Sequence, residues 1–573
     1  MLKPQTNRCR ALLELDGLWR FSFDPDGCGG AEGWPNGLPA HRPIAVPGSW
    51  NEQFETGRDY TGLAWYETEF ELPSSWQGGR VGLRFGSVNY LAEIWLNGQF
   101  VGAHEGGHLP FDFDVTEEIR RGRNRLTVRV DGGLAPDRVP PGNVPDDPRD
   151  TFNHPYPDGN FDFFPYCGIH RPVTLTCLPP VHLADLSVET SLDGETGLVN
   201  LRAWVEGEAD GLRASIGGEV VALRRGATAW EGQIALRQVQ VWGPGHPHLY
   251  DLEIEVLSGG AVCDAYRLPV GVRTIRAVGG QLLLNGEPVV LRGFGRHEDF
   301  PVNGRGQNRA VAARDLAMLA WTGANSFRTA HYPCDEDTLT LADQLGILVI
   351  AETPAVGLFF AEDGLEKRRA LCEQMTRELV TRDRNHPSVV MWSVANEPHV
   401  RRPGASGEMR RLLTLARELD PTRPVTYVSY YGTEMSAYDA ADVVSVNRYG
   451  GWYGQYGRIA EALPGLQAEM EGLFEQFGKP VLLTEFGADA LPGHHAQPPE
   501  MFSEEYQADL IEGYLNALAG LPFVAATHVW VLCDFKTGQA VHRANSYNYK
   551  GVFTRERRPK LAAHRLRALW GGR

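Results

Sequence analysis

The sequence predicts a multidomain β plus α/β protein, with two β-sandwiches followed by a C-terminal (β/α)8 TIM barrel. Three observations carry this prediction. The chain has 573 residues, too many for a single hydrophobic core. Up to about residue 270, short runs alternate apolar with polar residues between Gly, Pro and Asn, the pattern of half-buried strands. Beyond that point apolar strand-like runs alternate with helical stretches, which is how βα units read.

In the first region, "YETEFELP", "RVGLRFGSV", "LAEIWLNGQFVG" and "NRLTVRV" read as strands, and Asn97-Gly98 marks a hairpin turn. This region is an all-β sandwich. From Val181 to Val270 the runs "HLADLSVETSL", "GLVNLRAWVEG", "LRASIGGEVVALR", "LYDLEIEVL" and "AVCDAYRLPVGV" follow. Their regular spacing over roughly 90 residues suits an immunoglobulin-like sandwich. Eight buried strands are then expected at 289–295, 325–331, 347–353, 389–398, 425–430, 443–449, 481–487 and 527–535. Between them Asn308 can cap a helix ending near Gly323. "GEMRRLLTLARELD" has apolar residues at 409, 412, 413, 416 and 419, a helical spacing that stops before Pro421. The expected units are 1–180, 181–275 and 276–573.

Composition narrows the function. A formal net charge of -17 opposes binding to nucleic acid or an anionic membrane, both of which need a positive field. No apolar run approaches the roughly 20 residues of a membrane span, and the start "MLKPQTNRCRALLELDG" has no apolar secretory segment. The eight cysteines form no CxxC pair, so neither a zinc site nor a disulfide framework is expected, and a cytoplasmic setting fits.

Active-site residues of such barrels lie at the C-terminal ends of the strands. Those ends hold Arg296 and His297, His331, Glu352, Asn396 and Glu397, Asn447 and Tyr449, Glu485, and Trp530 with Asp534. Strand four ends in "ANEP" and strand seven in "TEFG", each placing one Glu at the rim. Two facing carboxylates suit glycosidic cleavage, in which one protonates the leaving oxygen and the other acts at the anomeric carbon.

Across nearly its whole length the chain resembles glycoside hydrolase family 2, and within it the β-glucuronidases. The resemblance rests on "GLWRFSFD", "SVNYLAEIWLNG", "HEGGHLPFDFDVT", "GIHRPVTL", "LRGFGRHED", "GANSFRTAHYP", "RDRNHPSVVMWSVANEP", "NRYGGWY" and "KGVFTRERRPK". It implies a jelly-roll sugar-binding-like domain, an immunoglobulin-like domain and a barrel. It implies a retaining hydrolase of β-glucuronides, small conjugates or oligosaccharides, that needs no cofactor or metal and assembles as a dimer or tetramer. Glu397 is then the general acid/base and Glu485 the nucleophile. Asn396 bonds the sugar 2-hydroxyl, Tyr449 contacts the nucleophile, Asn447 is an active-site amide, and Tyr453, His331 and Trp530 contact the sugar. His297 also matches a rim histidine. Asp162 reaches across from the first domain to sugar hydroxyls.

The same resemblance gives Asn548 and Lys550 the C6 carboxylate of glucuronic acid; Arg543 is a candidate second cation, though its spacing departs from the family pattern. In an extended segment residues i and i+2 point the same way and can converge on one group. A neutral sugar would leave the Lys550 ammonium buried and unpaired, which the site should reject. Glu298 and Asp299 lack the partner spacing of a metal site. The run Arg555–Arg558 is expected to be structural. Two departures, Phe486 where relatives carry Tyr and Gly450 where a Tyr is common, are expected to alter the pocket, and a short connection after strand three to open the aglycone side. The alternatives are a β-galacturonidase, a β-galactosidase or a non-catalytic carbohydrate-binding protein on the same scaffold.

Overall fold

The computed structural model describes residues 1–76, 78–142, 155–157, 159–358, 360, 365–431 and 437–571. The first sandwich packs a six-stranded sheet, ordered 42–46, 17–23, 63–72, 122–131, 91–96 and 99–105, on a four-stranded one, ordered 11–14, 173–178, 80–85 and 111–114. Trp19, Phe21 and Tyr66 from one sheet meet Leu83, Phe85 and Leu175 from the other in one buried cluster. Asn97 and Gly98 both take positive φ, 55° and 82°, the type I′ geometry that matches the twist of a two-residue hairpin.

The second sandwich has seven strands between His182 and Val270. The stretch 212–224, expected as one run, is a hairpin of strands 211–216 and 219–225 turning at Gly217 and Gly218, both at positive φ. A strand at Trp230–Leu236 joins the sheet. Only Ile234 and Leu236 of its residues are fully buried, so its sequence pattern is weak.

The barrel is closed by eight parallel strands: β1 (Leu291–Arg296), β2 (Ser326–Thr329), β3 (Leu348–Glu352), β4 (Val389–Asn396), β5 (Val425–Ser429), β6 (Val444–Asn447), β7 (Val481–Glu485) and β8 (Val524–Val529). All residues of β2 to β8 are buried, as expected for parallel strands covered on both faces. The strand expected at 527–535 starts earlier and ends at Val529, so Trp530 sits just beyond it. Outside lie α1 (Arg309–Trp321), α2 (Glu336–Leu345), α3 (Leu365–Asp383), α4 (Ala405–Leu419), α5 (Ile459–Phe477), α6 (Glu504–Leu518) and α7 (Leu561–Gly571). Among the described residues no helix joins β5 to β6. Asn308 caps α1 by accepting from the N–H of Ala310 and Val311. The β3–α3 connection is residues 353–364, of which 359 and 361–364 lie outside the described residues, so the expected open aglycone side falls partly there.

Two contacts fix the working end of the barrel. Trp242, Ile275, Leu282 and Leu284 pack on Leu291, Leu348 and Leu482 and close the bottom. At the top, the first sandwich sends residues 155–157 and 159–166 over the barrel. Tyr156 and Gln539 exchange backbone hydrogen bonds at 3.0 and 2.7 Å, Phe164 N–H donates to Lys536 O at 2.9 Å, and the Asn160 amide donates to Gly357 O at 2.7 Å. Phe161 and Phe163 then join Tyr332, Val356 and Trp530 in one apolar cluster.

Candidate active site

The top of the barrel opens into a cavity of about 470 Å³, and all twelve expected site residues except Asn447 line it. Asn447 stands just behind, and its amide donates to Glu397 Oε1 at 2.7 Å and to Asn396 Oδ1 at 3.2 Å. Thr484 fixes that amide by donating to Asn447 Oδ1 at 2.9 Å. Glu397 follows β4 directly and holds a left-handed backbone, φ 48°, while its N–H donates to Val428 O at 2.9 Å. Its pKa is pushed up to about 7. Burial is the main cause and the charge of Glu485 the second, and the Asn447 hydrogen bond offsets only part of this.

Glu485 ends β7 in different surroundings. Tyr449 OH donates to its Oε2 at 2.7 Å, and the Arg328 guanidinium donates to Oε1. His331 Nε2 lies 3.5 Å from the same oxygen. Arg328, inside β2, has no exposed surface and also donates to Glu352 Oε1 at 2.6 Å. Ser393 binds the other Glu352 oxygen at 2.7 Å. Burial alone would raise the Glu352 carboxyl, yet Arg328 and His331 hold it below its usual value. His331 stacks on Trp530, centroids 4.8 Å apart at 22°, so the wall facing the two carboxylates is aromatic. His297 packs behind that wall against Phe535 and Trp530, with burial holding its pKa far down, and it is absent from the cavity lining among the described residues.

The far end of the cavity holds the basic segment. Lys550 is buried, and its ammonium donates to Asp489 and to Tyr453 OH at 2.9 Å. Asp489 also accepts from the Tyr549 N–H at 2.8 Å. Its pKa stays low although it is buried, because Lys550 and Arg543 face it. Arg543 donates to both oxygens of Asp162, through Nε at 2.8 Å, and to Tyr453 OH at 3.0 Å. The Asn548 amide donates to Asp162 Oδ2 at 2.8 Å, and its own oxygen accepts from Lys550 N–H at 3.0 Å.

This geometry corrects the sequence expectation in one place. The Lys550 ammonium is paired with Asp489, so a neutral sugar would not leave it without a partner. Asp162 reaches the cavity from the first sandwich, as expected of its position, and meets Arg543 and Asn548 there. Two carboxyls read as strand-end candidates or metal-like ligands have structural partners: Asp534 binds Lys560 at 2.8 Å, and Asp299 binds Arg555 at 2.6 Å and accepts from Tyr166 OH at 2.9 Å. Phe486 is buried against Tyr514 of α6, rings parallel at 5.1 Å, and Gly450 accepts from the Tyr514 hydroxyl at 2.8 Å. Neither departure therefore shapes the cavity. Sequence reasoning missed Arg328 and Asp489. An Arg inside the strand-like run "NSFRTAH" is the cue that could have flagged the first, since a cation in a buried parallel strand needs buried partners.

Comparison with known proteins matches this architecture unit by unit. Residues 12–179 match the sugar binding domain of glycosyl hydrolases family 2, residues 181–273 a second family 2 domain, and residues 275–572 the family 2 TIM barrel domain. The chain belongs to glycoside hydrolase family 2. Within the family it is 40% identical over 591 residues to a β-glucuronidase of Paenibacillus borealis, covering 100% of this chain and 98% of that one. The mouse (Mus musculus) β-glucuronidase is 39% identical over 602 residues, covering 99% and 92%. Among solved family structures, a β-glucuronidase from an uncultured Clostridium species superposes with a TM-score of 0.93 at 39% identity over 100% of both chains. A Ruminococcus gnavus β-glucuronidase in complex with D-glucuronic acid gives 0.92 at 36% identity over 99% of both.

Proposed function

We propose that the protein is a retaining, exo-acting β-glucuronidase that hydrolyses β-D-glucuronides to glucuronic acid and an aglycone. The observation that carries this reading is the asymmetry of the two rim carboxylates. Glu485 is oriented by the Arg328 guanidinium and the Tyr449 phenol, one on each oxygen, at the edge of the cavity. Glu397 has a pKa near 7 and so holds a proton to give. Glu485 attacks the anomeric carbon while Glu397 protonates the aglycone oxygen, and a covalent glycosyl-enzyme forms. Loss of the Glu485 charge lowers the Glu397 pKa, and Glu397 then acts as base on the water that releases the sugar with retention. Asn396 and Asn447 face the sugar 2-hydroxyl and the acid, and Trp530 and His331 line the face of the ring. Arg543, Asn548 and Lys550 receive the C6 carboxylate, and the relative solved with D-glucuronic acid supports that substrate class.

Localisation in the cytoplasm is part of the same proposal. All eight cysteines are unpaired, as a reducing compartment keeps them. No helix among the described residues is long and apolar enough to cross a membrane.

The test is a panel of nitrophenyl β-glucuronide, β-galacturonide and β-galactoside, with the anomer released followed by proton NMR. The β-glucuronide is expected to turn over at least a hundredfold faster than the galactoside and to yield the β-anomer first. Preference for the galactoside, or undiminished turnover by Glu485→Gln, would remove the assignment.

A further inference from the structure

The uronate end of the cavity is already filled. Asp162 presents one oxygen to Arg543 Nε at 2.8 Å and the other to Arg543 Nη2 and to the Asn548 amide at 2.8 Å. A guanidinium fork plus an amide N–H is the recognition pattern of a carboxylate, and here the carboxylate belongs to the protein. The four charges of this corner cancel: Arg543 and Lys550 against Asp162 and Asp489. An empty positive slot therefore does not explain how the site would choose an anionic sugar.

The two acids differ in freedom. Asp489 is buried and tied to the Lys550 ammonium and the Tyr549 backbone N–H. The Asp162 side chain is 42% exposed while that of Arg543 is only 5% exposed. Asp162 also comes from the first sandwich, on the segment laid across the barrel. Resting on the β-glucuronidase reading, we propose that the Asp162 carboxylate is an internal stand-in for the C6 carboxylate of the substrate. It leaves the Arg543–Asn548 slot when a uronate enters. The exchange conserves charge, since one carboxylate replaces another on the same donors, and no desolvated cation is left bare at any stage. A neutral sugar brings nothing to put in the slot and leaves the Arg543–Asp162 pair closed. Once displaced, Asp162 faces the sugar hydroxyls as an acceptor. Lys550, with two of its three N–H donors directed at Asp489 and Tyr453, has its third for the incoming group.

The probe is acetate, the smallest carboxylate. Competitive inhibition by acetate of nitrophenyl glucuronide hydrolysis is measured for the wild-type protein, Asp162→Ala and Asp162→Asn. Both variants vacate the slot of its anion, so their acetate inhibition constants are expected to fall at least tenfold below that of the wild type. Where a variant turns over too slowly to assay, calorimetric titration with acetate reads the same constant. A wild-type crystal soaked in D-glucuronate decides the matter even if both variants misfold: Arg543 is expected on the sugar carboxylate, with Asp162 turned away. Equal acetate constants in wild type and variants, or an intact Arg543–Asp162 pair in the glucuronate complex, overturns the exchange. A wild-type protein inert on aryl glucuronides overturns the parent reading instead, so the two failures are distinct.

Discussion

Glu397 combines a left-handed φ of 48° with a pKa near 7, and both cost stability. A non-glycine residue in that backbone region costs about 1–3 kcal/mol. A carboxyl whose folded pKa lies above its unfolded value near 4.5 binds its proton more tightly in the native state. Its contribution is fully present below pH 4.5 and is lost as pH rises through 7, by at most about 3 kcal/mol. Glu397→Gln is therefore expected to raise the melting temperature at pH 8 and leave it unchanged at pH 4.5. Catalysis should run the other way. The wild-type kcat/KM falls as pH rises through about 7, when the acid loses its proton, and Glu397→Gln lacks this limb and loses at least a hundredfold on an alkyl glucuronide. A variant that retained the alkaline limb would place the titrating acid elsewhere. Arg328 is the second residue of consequence, because its single guanidinium bridges Glu352 and Glu485. Arg328→Ala leaves the two buried carboxylates without that cation, with His331 the one other basic group among the described residues in contact with both. It is expected to destabilise the fold by about 3–5 kcal/mol, measured by denaturant melts alongside the loss of turnover.

At the scale of elements, the site is where the end of β7 meets the returning 547–550 segment. Asp489 stands four residues past Glu485, and its partner Lys550 lies 61 positions further on, two residues past the short strand Tyr547–Asn548. Breaking one partner strands the other. Lys550→Met is expected to lower stability by a few kcal/mol, and adding Asp489→Asn should restore most of it without restoring glucuronide turnover. Additive losses in that double-mutant cycle would mean the pair is not coupled. Sequence alone exposed the strands and the two Glu because parallel barrel strands are continuous apolar runs and their ends carry the chemistry. It could not expose Asp489 or the Arg328 pairings, which join strands far apart in the chain. The same limit explains Phe486 and Gly450. Both departures sit next to site groups in sequence, Phe486 beside Glu485 and Gly450 beside Tyr449, yet their neighbour is Tyr514 of α6, which stacks on the Phe486 ring and donates to the Gly450 carbonyl. The run at 555–558 read correctly as structural: Arg555 binds Asp299 and Arg557 binds Asp315.

On the scale of the whole molecule, the first sandwich completes the active site and is held there by charge as well as by apolar contact. Arg555 donates to Asp299 at 2.6 Å and to Tyr166 OH at 2.9 Å, and lies 3.3 Å from Glu52. Glu52 in turn pairs with Lys536 at 2.8 Å. Glu52 and Tyr166 belong to the sandwich, while Asp299, Lys536 and Arg555 belong to the barrel, so this buried cluster is the seam between them. Removing the guanidinium leaves Asp299 buried and short of its cation, which costs about 3–5 kcal/mol and loosens the segment that carries Phe161, Asp162 and Phe163. Glu397, Glu485, Asn447, Tyr449 and Arg328 all stand on the barrel and keep their contacts. Arg555→Ala is therefore expected to lower the melting temperature and to raise KM for an aryl glucuronide about tenfold, roughly 1.4 kcal/mol of binding, while kcat changes less than threefold. If kcat falls instead and KM holds, the seam sets the geometry of the two carboxylates, and the division of labour between sandwich and barrel drawn here is wrong.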